Sequence, residues 1–191
     1  MKKIVLSISI ALLSVAGFAQ TWTLDKAHSK ATFTVTHLAI SEVDGVFKNY
    51  DASITSAKED FSDAVFAFNA DLKQVTTNNE MRDGHLQKAD MFDTEKNPTM
   101  TFKSTSIKAN GPKKFTLAGN LTLKGVTKPV TLDLAYLGAA KSRDGKTLAG
   151  FKVSGTIKRT DFGVGGMPGA VVGEDVELRA SGEFEIGRAH V

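Results

Sequence analysis

The densest cluster of reactive side chains is Arg82-Asp83-Gly84-His85-Leu86. A guanidinium and an imidazole this close suit an anionic or carbonyl head group, and Asp83 beside His85 could serve as acid and base on such a group. The competing reading is local, with Arg82 pairing to Asp83 and His85 packing half buried. Arg159 stands apart, because it continues the parity of Phe151, Val153, Gly155 and Ile157. A strand that persists would point it inward, where an unpartnered charge is costly. Asp161, Asp83 or a ligand head group would each supply a partner. His37 also falls on the apolar face of its segment, as a hydrogen-bonded core histidine or as a contact to a ligand.

Other constellations carry less chemistry. His28, His37 and His85 coexist with Asp25, Asp83 and Asp90, but their spacing matches no zinc signature, and no metal site is expected. Asp25, His28 and Ser29 lie too close along the chain for a hydrolytic triad, and no G-x-S-x-G elbow occurs. The run Gly163-Val164-Gly165-Gly166-Met167-Pro168-Gly169 lacks the flanking strand, helix and lysine of a phosphate loop and reads as a flexible loop. Asn120-Leu121-Thr122 fits the glycosylation pattern but sits inside a predicted strand.

These residues hang on segments that alternate apolar and polar side chains with a period of two, the mark of β-strands. Phe115, Leu117, Gly119, Leu121 and Leu123 share one face; so do Val130, Leu132, Leu134 and Tyr136. The same parity governs the segments starting near Phe151 and Val176. Trp22–Asp25 reads as a short opening strand, followed by Ser29–Leu38, Val43–Ser56, Ala64–Leu72 and Met100–Lys108. Counting from Ser29, eight principal strands result. Asn110-Gly111-Pro112, Lys124-Gly125 and Asp144-Gly145 mark tight turns, so neighbours should run antiparallel, up and down. The exception is residues 77–93. Thr77 and Glu80 have capping-box spacing, and Met81, His85, Ala89 and Phe92 recur at helical intervals, although Gly84 interrupts them. With so little helix to cover a one-faced apolar sheet, the sheet should roll into an all-β, eight-stranded antiparallel barrel with a short helical insert. The small residues Gly119, Gly155 and Gly182 on the inward parity favour a cavity inside it.

The ends of the chain read differently. Met1-Lys2-Lys3, an apolar run from Ile4 to Ala16, and Gly17-Phe18-Ala19 form the three regions of a secretory signal peptide, so residues 1–19 are expected to be removed. The apolar run is shorter than the roughly 20 residues of a membrane span, and no stable membrane insertion is expected. The product would be periplasmic or secreted, a single domain over residues 20–185. Without Lys2 and Lys3, 22 basic residues face 21 acidic ones, for a net charge of +1. That balance gives no reason to expect nucleic acid. There is no cysteine, hence no disulfide staple and no lipidated cysteine. Ile186-Gly187-Arg188-Ala189-His190-Val191 is what ATC GGA AGA GCA CAC GTC encodes, a string resembling a common sequencing adapter. We read 186–191 as a non-native tail.

Trp22-Thr23-Leu24-Asp25 with Ala27-His28-Ser29, Phe33, His37-Leu38, Gly45-Val46-Phe47, Thr77, Asn79, Arg82-Asp83, His85-Leu86, Asp90, Phe92-Asp93, Pro98, Gly119 to Val130, and Arg159 to Gly163 together resemble the YceI-like periplasmic proteins. Met91 stands where an aromatic often precedes Phe92, a swap that methionine tolerates by filling apolar gaps. The resemblance implies a lipocalin-like barrel enclosing a long isoprenoid, such as a quinone or polyprenyl phosphate, with no catalysis and no further cofactor. On the inward parity Phe33, Val35, Phe66, Phe68, Phe102, Leu121, Leu123, Leu132, Val153 and Ile157 would line the cavity, and Met81, Phe92 and Met167 would sit near its mouth. His37, Arg82, His85 and Arg159 are the polar candidates for ligand contact. Two rivals remain open: an enzyme acting on a prenyl lipid, and an interaction protein with a plugged barrel.

Overall fold

Phe115, Leu117, Leu121 and Leu123 are buried while Lys114 and Asn120 face solvent, as period-two patterning requires. The computed structural model describes residues 19–186. Except for Ala19 and Ile186, the expected signal peptide and tail lie outside them. Among the described residues the strands are β1 (Gln20–His37), β2 (Ser41–Phe47), β3 (Tyr50–Ser56), β4 (Val65–Asp71), β5 (Val75–Thr76), β6 (Thr99–Ala109), β7 (Lys114–Leu123), β8 (Val126–Lys141), β9 (Thr147–Lys158) and β10 (Val172–Ile186). Eight of them close a ring in the order β1-β3-β4-β6-β7-β8-β9-β10, with β10 returning to β1. Every pairing is antiparallel. This is the expected closed barrel, in which no ring strand is left as a sheet edge.

The boundaries differ from expectation at three places. The opening strand and its successor are one element, β1, whose ladder with β10 jumps from Asp25↔Glu183 to Lys30↔Ser181, so residues 26–29 form a wide bulge. The expected strand Val43–Ser56 is divided at Lys48-Asn49 into β2 and β3, and β5 is added at the side of β2. β10 runs on to Ile186, which pairs with Trp22, one residue past the expected end of the domain.

The insert contains one short helix, α1 (Glu80–Leu86). Its N-cap is Asn79, whose side-chain oxygen accepts the Arg82 N–H at 3.0 Å, rather than Thr77. Beyond Leu86 the chain continues as turns, with the Phe92 N–H donating to the Leu86 carbonyl at 2.9 Å.

Both ends of the barrel are stopped by side chains. At the lower end, where the chain passes from β3 to β4, Phe61 turns inward and is 2% exposed. Its ring centroid lies 5.3 Å from Trp22, 5.0 Å from Tyr136 and 4.9 Å from Phe151. Asp63 fastens this loop by accepting from Ser56 Oγ at 2.6 Å and from the Ala57 N–H at 3.0 Å. At the upper end the insert and the segment from Arg159 to Val171 bring Leu86, Phe92, Phe162 and Val164 into the core, and Leu72, just past the end of β4, joins them. The Gly165 N–H donates to the Asp90 carbonyl at 2.8 Å, and Lys124 Nζ donates to the Gly163 carbonyl at 2.7 Å, tying these segments together.

Candidate functional site

Between the two stoppers lies an apolar cavity of about 130 Å³. Phe66, Phe68, Phe102, Leu121, Leu132 and Val153 line it, all from the set chosen by inward parity. Phe33, Leu123 and Ile157 are buried in the core outside the cavity wall. Val35 and His37 are half-buried near the upper rim, also away from it. The wall further includes Leu24, Phe47, Tyr50, Met100, Phe151 and Phe184, which the sequence reading did not choose. Phe151 and Met100 share parity with residues that it did choose on the same strands, and Phe184 lies on the inward parity of a strand from which it chose none. Phe47 and Tyr50 flank the β2–β3 break, which resets the alternation, and no local signal marked them.

The mouth assigned to Met81, Phe92 and Met167 is not formed by those residues. Met81 is 87% exposed on α1, Met167 is exposed on its loop, and Phe92 is buried within the insert. The inward glycines also serve a different purpose from the one expected. A Cβ at Gly119 would stand 2.5 Å from the Phe102 ring and from the Lys103 carbonyl, and one at Gly155 would stand 2.5 Å from Leu132 Cδ2. These glycines make room for neighbouring side chains rather than for a guest. Gly182 does line the cavity, but Ser29 Oγ would meet its Cβ at 2.5 Å.

The polar candidates are occupied by the protein itself. Arg82 donates through Nε to Thr77 Oγ1 at 2.7 Å and through Nη2 to the Thr77 carbonyl at 2.9 Å. Asp83 accepts from Thr76 Oγ1 at 2.7 Å and from the Thr77 N–H at 2.7 Å. Burial pushes the Asp83 carboxyl upward, but the bonds from Thr77 and Thr76 outweigh it and hold it below the ordinary carboxylate value. His85 Nε2 lies 3.0 Å from Asp90 Oδ2, so His85 and Asp83 face different partners rather than each other. Arg159 does point inward, 5% exposed, but its partner is neither a carboxylate nor a head group. It donates to five main-chain carbonyls: Gly173 from Nε, Val164 and Gly165 from Nη1, and Met167 and Val172 from Nη2, at 2.7–2.9 Å. The glycine-rich loop, expected to be flexible, is thereby fastened to one buried cation.

On the outer surface His28 Nδ1 lies 2.7 Å from Asp25 Oδ2, and Glu183 brings a second carboxylate near them. Ser29 Oγ donates to the Asp25 carbonyl at 2.6 Å and not to His28, so the three residues form no triad.

The chain matches the YceI-like domain over residues 22–184. It is 38% identical over 188 residues to a UPF0312 protein of Serratia proteamaculans, covering 96% of this chain and 97% of that one. The crystal structure of the Campylobacter jejuni YCEI protein superposes with a TM-score of 0.73 at 29% identity, covering 98% of this chain and 100% of the other. A polyisoprenoid binding domain from Saccharophagus degradans, implicated in plant cell wall breakdown, shares the fold with a TM-score of 0.62 at 16% identity, covering 88% of this chain and 99% of that one. With a match across nearly the whole barrel and close relatives of the same length, this chain belongs to the YceI-like family.

Proposed function

We propose that the mature protein sequesters or carries a long isoprenoid lipid, in the periplasm or outside the cell. The observation that carries this reading is a predominantly apolar cavity inside a closed barrel, with Arg82 and Arg159 already bonded internally. Its mechanism is desolvation. Each buried methylene is worth about 0.8 kcal/mol, so a tail of about 20 carbons supplies roughly 16 kcal/mol gross, against an association cost of about 4–15 kcal/mol. The polyisoprenoid binding domain that shares this fold supports the choice of ligand. We read a binder rather than an enzyme, since Asp83 and His85 are not paired for acid and base work.

One observation favours the rival of a plugged barrel. A cavity of about 130 Å³ is the size that takes a benzene-sized guest, so a long tail requires the walls to part. Organic extraction and mass spectrometry of protein exported by its native host distinguish the two. A stoichiometric prenyl lipid is the expected result, and Ala180→Phe, which fills the cavity wall, should lower its recovery at least tenfold. Lipid-free protein that also ignores added prenyl probes would overturn the reading.

A further inference from the structure

Both ends of the barrel are stopped, by Phe61 below and by the insert and the Arg159 loop above, yet the wall between them has a gap. β1 pairs with β2 from Thr32↔Val46 to His37↔Ser41 and with β3 from Gln20↔Ser56 to Thr23↔Ser53. Between these ladders, residues 24–31 of β1 and 47–52 across from them make no strand pairing with each other, leaving a slit about 20 Å long at ~3.3 Å per residue. The bulge at 26–29 lies at this level, where β1 departs from regular register. Side chains from both lips, Leu24 and Ala31 on one and Phe47, Tyr50 and Ala52 on the other, line the cavity. The lips are joined on the outside by an ion pair, Lys26 Nζ to Asp51 Oδ2 at 3.7 Å, with both side chains more than half exposed. An exposed pair of this kind contributes little stability.

Outside the slit lies a polar groove that shares Tyr50 with the cavity and contains Lys26, Asp51, Asn69, Asp71 and Lys73. Its two lysines face two aspartates, so it has no excess positive charge to hold a phosphate. Its lysines and Asn69 supply the N–H donors that the oxygens of an uncharged head group accept from. Resting on the isoprenoid reading above, we propose that the barrel is loaded through its side, between β1 and β3, tail first, with an uncharged oxygen-bearing head group of quinone type left in the groove at Tyr50.

The natural absence of cysteine makes a direct test available. Lys26→Cys with Asp51→Cys, closed by a short bis-thiol-reactive linker, bridges the slit; Asp90→Cys with Gly166→Cys, closed by the same linker, locks the upper end. Each is compared with its own unlinked form, so a folding defect would show before linking. The probes are a ubiquinone with four isoprene units and geranylgeranyl phosphate, of equal tail length. Quinone loading is followed by quenching of Trp22, the sole tryptophan, and phosphate binding by equilibrium dialysis. Bridging the slit should slow quinone loading and release at least tenfold relative to the same protein unlinked, while locking the upper end should leave both rates within twofold. In the protein without substitutions the quinone should bind at least tenfold more tightly than the phosphate. Slowing by the upper lock, whether alone or equally, would overturn loading through the side, and preference for the phosphate would overturn the head-group assignment. If the protein without substitutions takes up neither probe, the isoprenoid reading itself falls, and the slit with it.

Discussion

Arg159 spends every N–H of its guanidinium on main-chain carbonyls, a use that only a planar five-donor group can make. Lysine has three donors and no fork, so Arg159→Lys should leave buried carbonyls short of partners and lower stability by about 2–4 kcal/mol. A shifted urea midpoint with an unchanged slope would register it, and a loss under about 0.5 kcal/mol would show that the bonds contribute little. Sequence parity was enough to bury this arginine and to demand a partner for it. It could not identify that partner, because carbonyl oxygens belong to every residue and leave no mark in residue types. His28 offers a second test at this scale. Its hydrogen bond to Asp25 raises the imidazole above its ordinary value and lowers the carboxyl below its own. A raised histidine pKa means the interaction is fully present below the ordinary imidazole pKa of 6.5 and is lost as pH rises through the raised value. Proton NMR should place the His28 titration above 6.5, and Asp25→Asn should bring it back down.

At the scale of elements, alternation located all eight ring strands, because each has one dry face and one wet one. It was blind where the backbone leaves register. The bulge at 26–29 and the break at Lys48-Asn49 both arise from three-dimensional closure, and Phe61 sits in a polar loop with no periodicity to betray it. The glycines on the inward parity were visible, but their use was not. Gly119→Ala tests that use, since its Cβ would press on the fixed Lys103 carbonyl as well as on Phe102. Overpacking of this kind should cost about 1–3 kcal/mol, read as a lower denaturation midpoint. The insert depends on Asp83, which holds the hydroxyl and amide groups of Thr76 and Thr77. Because its pKa is lowered on folding, its contribution is present above the ordinary carboxylate value of 3.8 and is lost as pH falls through the lowered one. Asp83→Asn should therefore speed amide exchange across residues 77–93 at neutral pH while the ring strands keep their protection. Equal loosening of the whole barrel would mean the insert and ring unfold together.

For the whole molecule, closure of the ring and the size of its interior pull in opposite directions. Eight strands give an interior that side chains can nearly fill, and the aromatic cluster around Phe61, Phe151 and Phe184 does much of that filling. What is left, about 130 Å³, cannot receive a long tail without parting the walls. Loading then becomes a contest between two terms of different form. Tail burial grows by about 0.8 kcal/mol with each methylene, whereas separating lips held by one exposed ion pair and no ladder is a cost incurred once. Affinity should consequently rise steeply with isoprene number over one to four units, while the rate of loading should change far less, because every tail passes the same slit. Ligand at a hundred times its Kd adds about 2.7 kcal/mol to the folded state, which for a domain of this size corresponds to a Tm rise of roughly 5–10 °C. Differential scanning fluorimetry with a ubiquinone series reads this in one experiment. A Tm that climbs with tail length fits a barrel that opens to its guest. A Tm that is flat beyond one isoprene unit fits a barrel whose interior is fixed at the size of its present cavity, and a barrel of that kind could not carry a long chain.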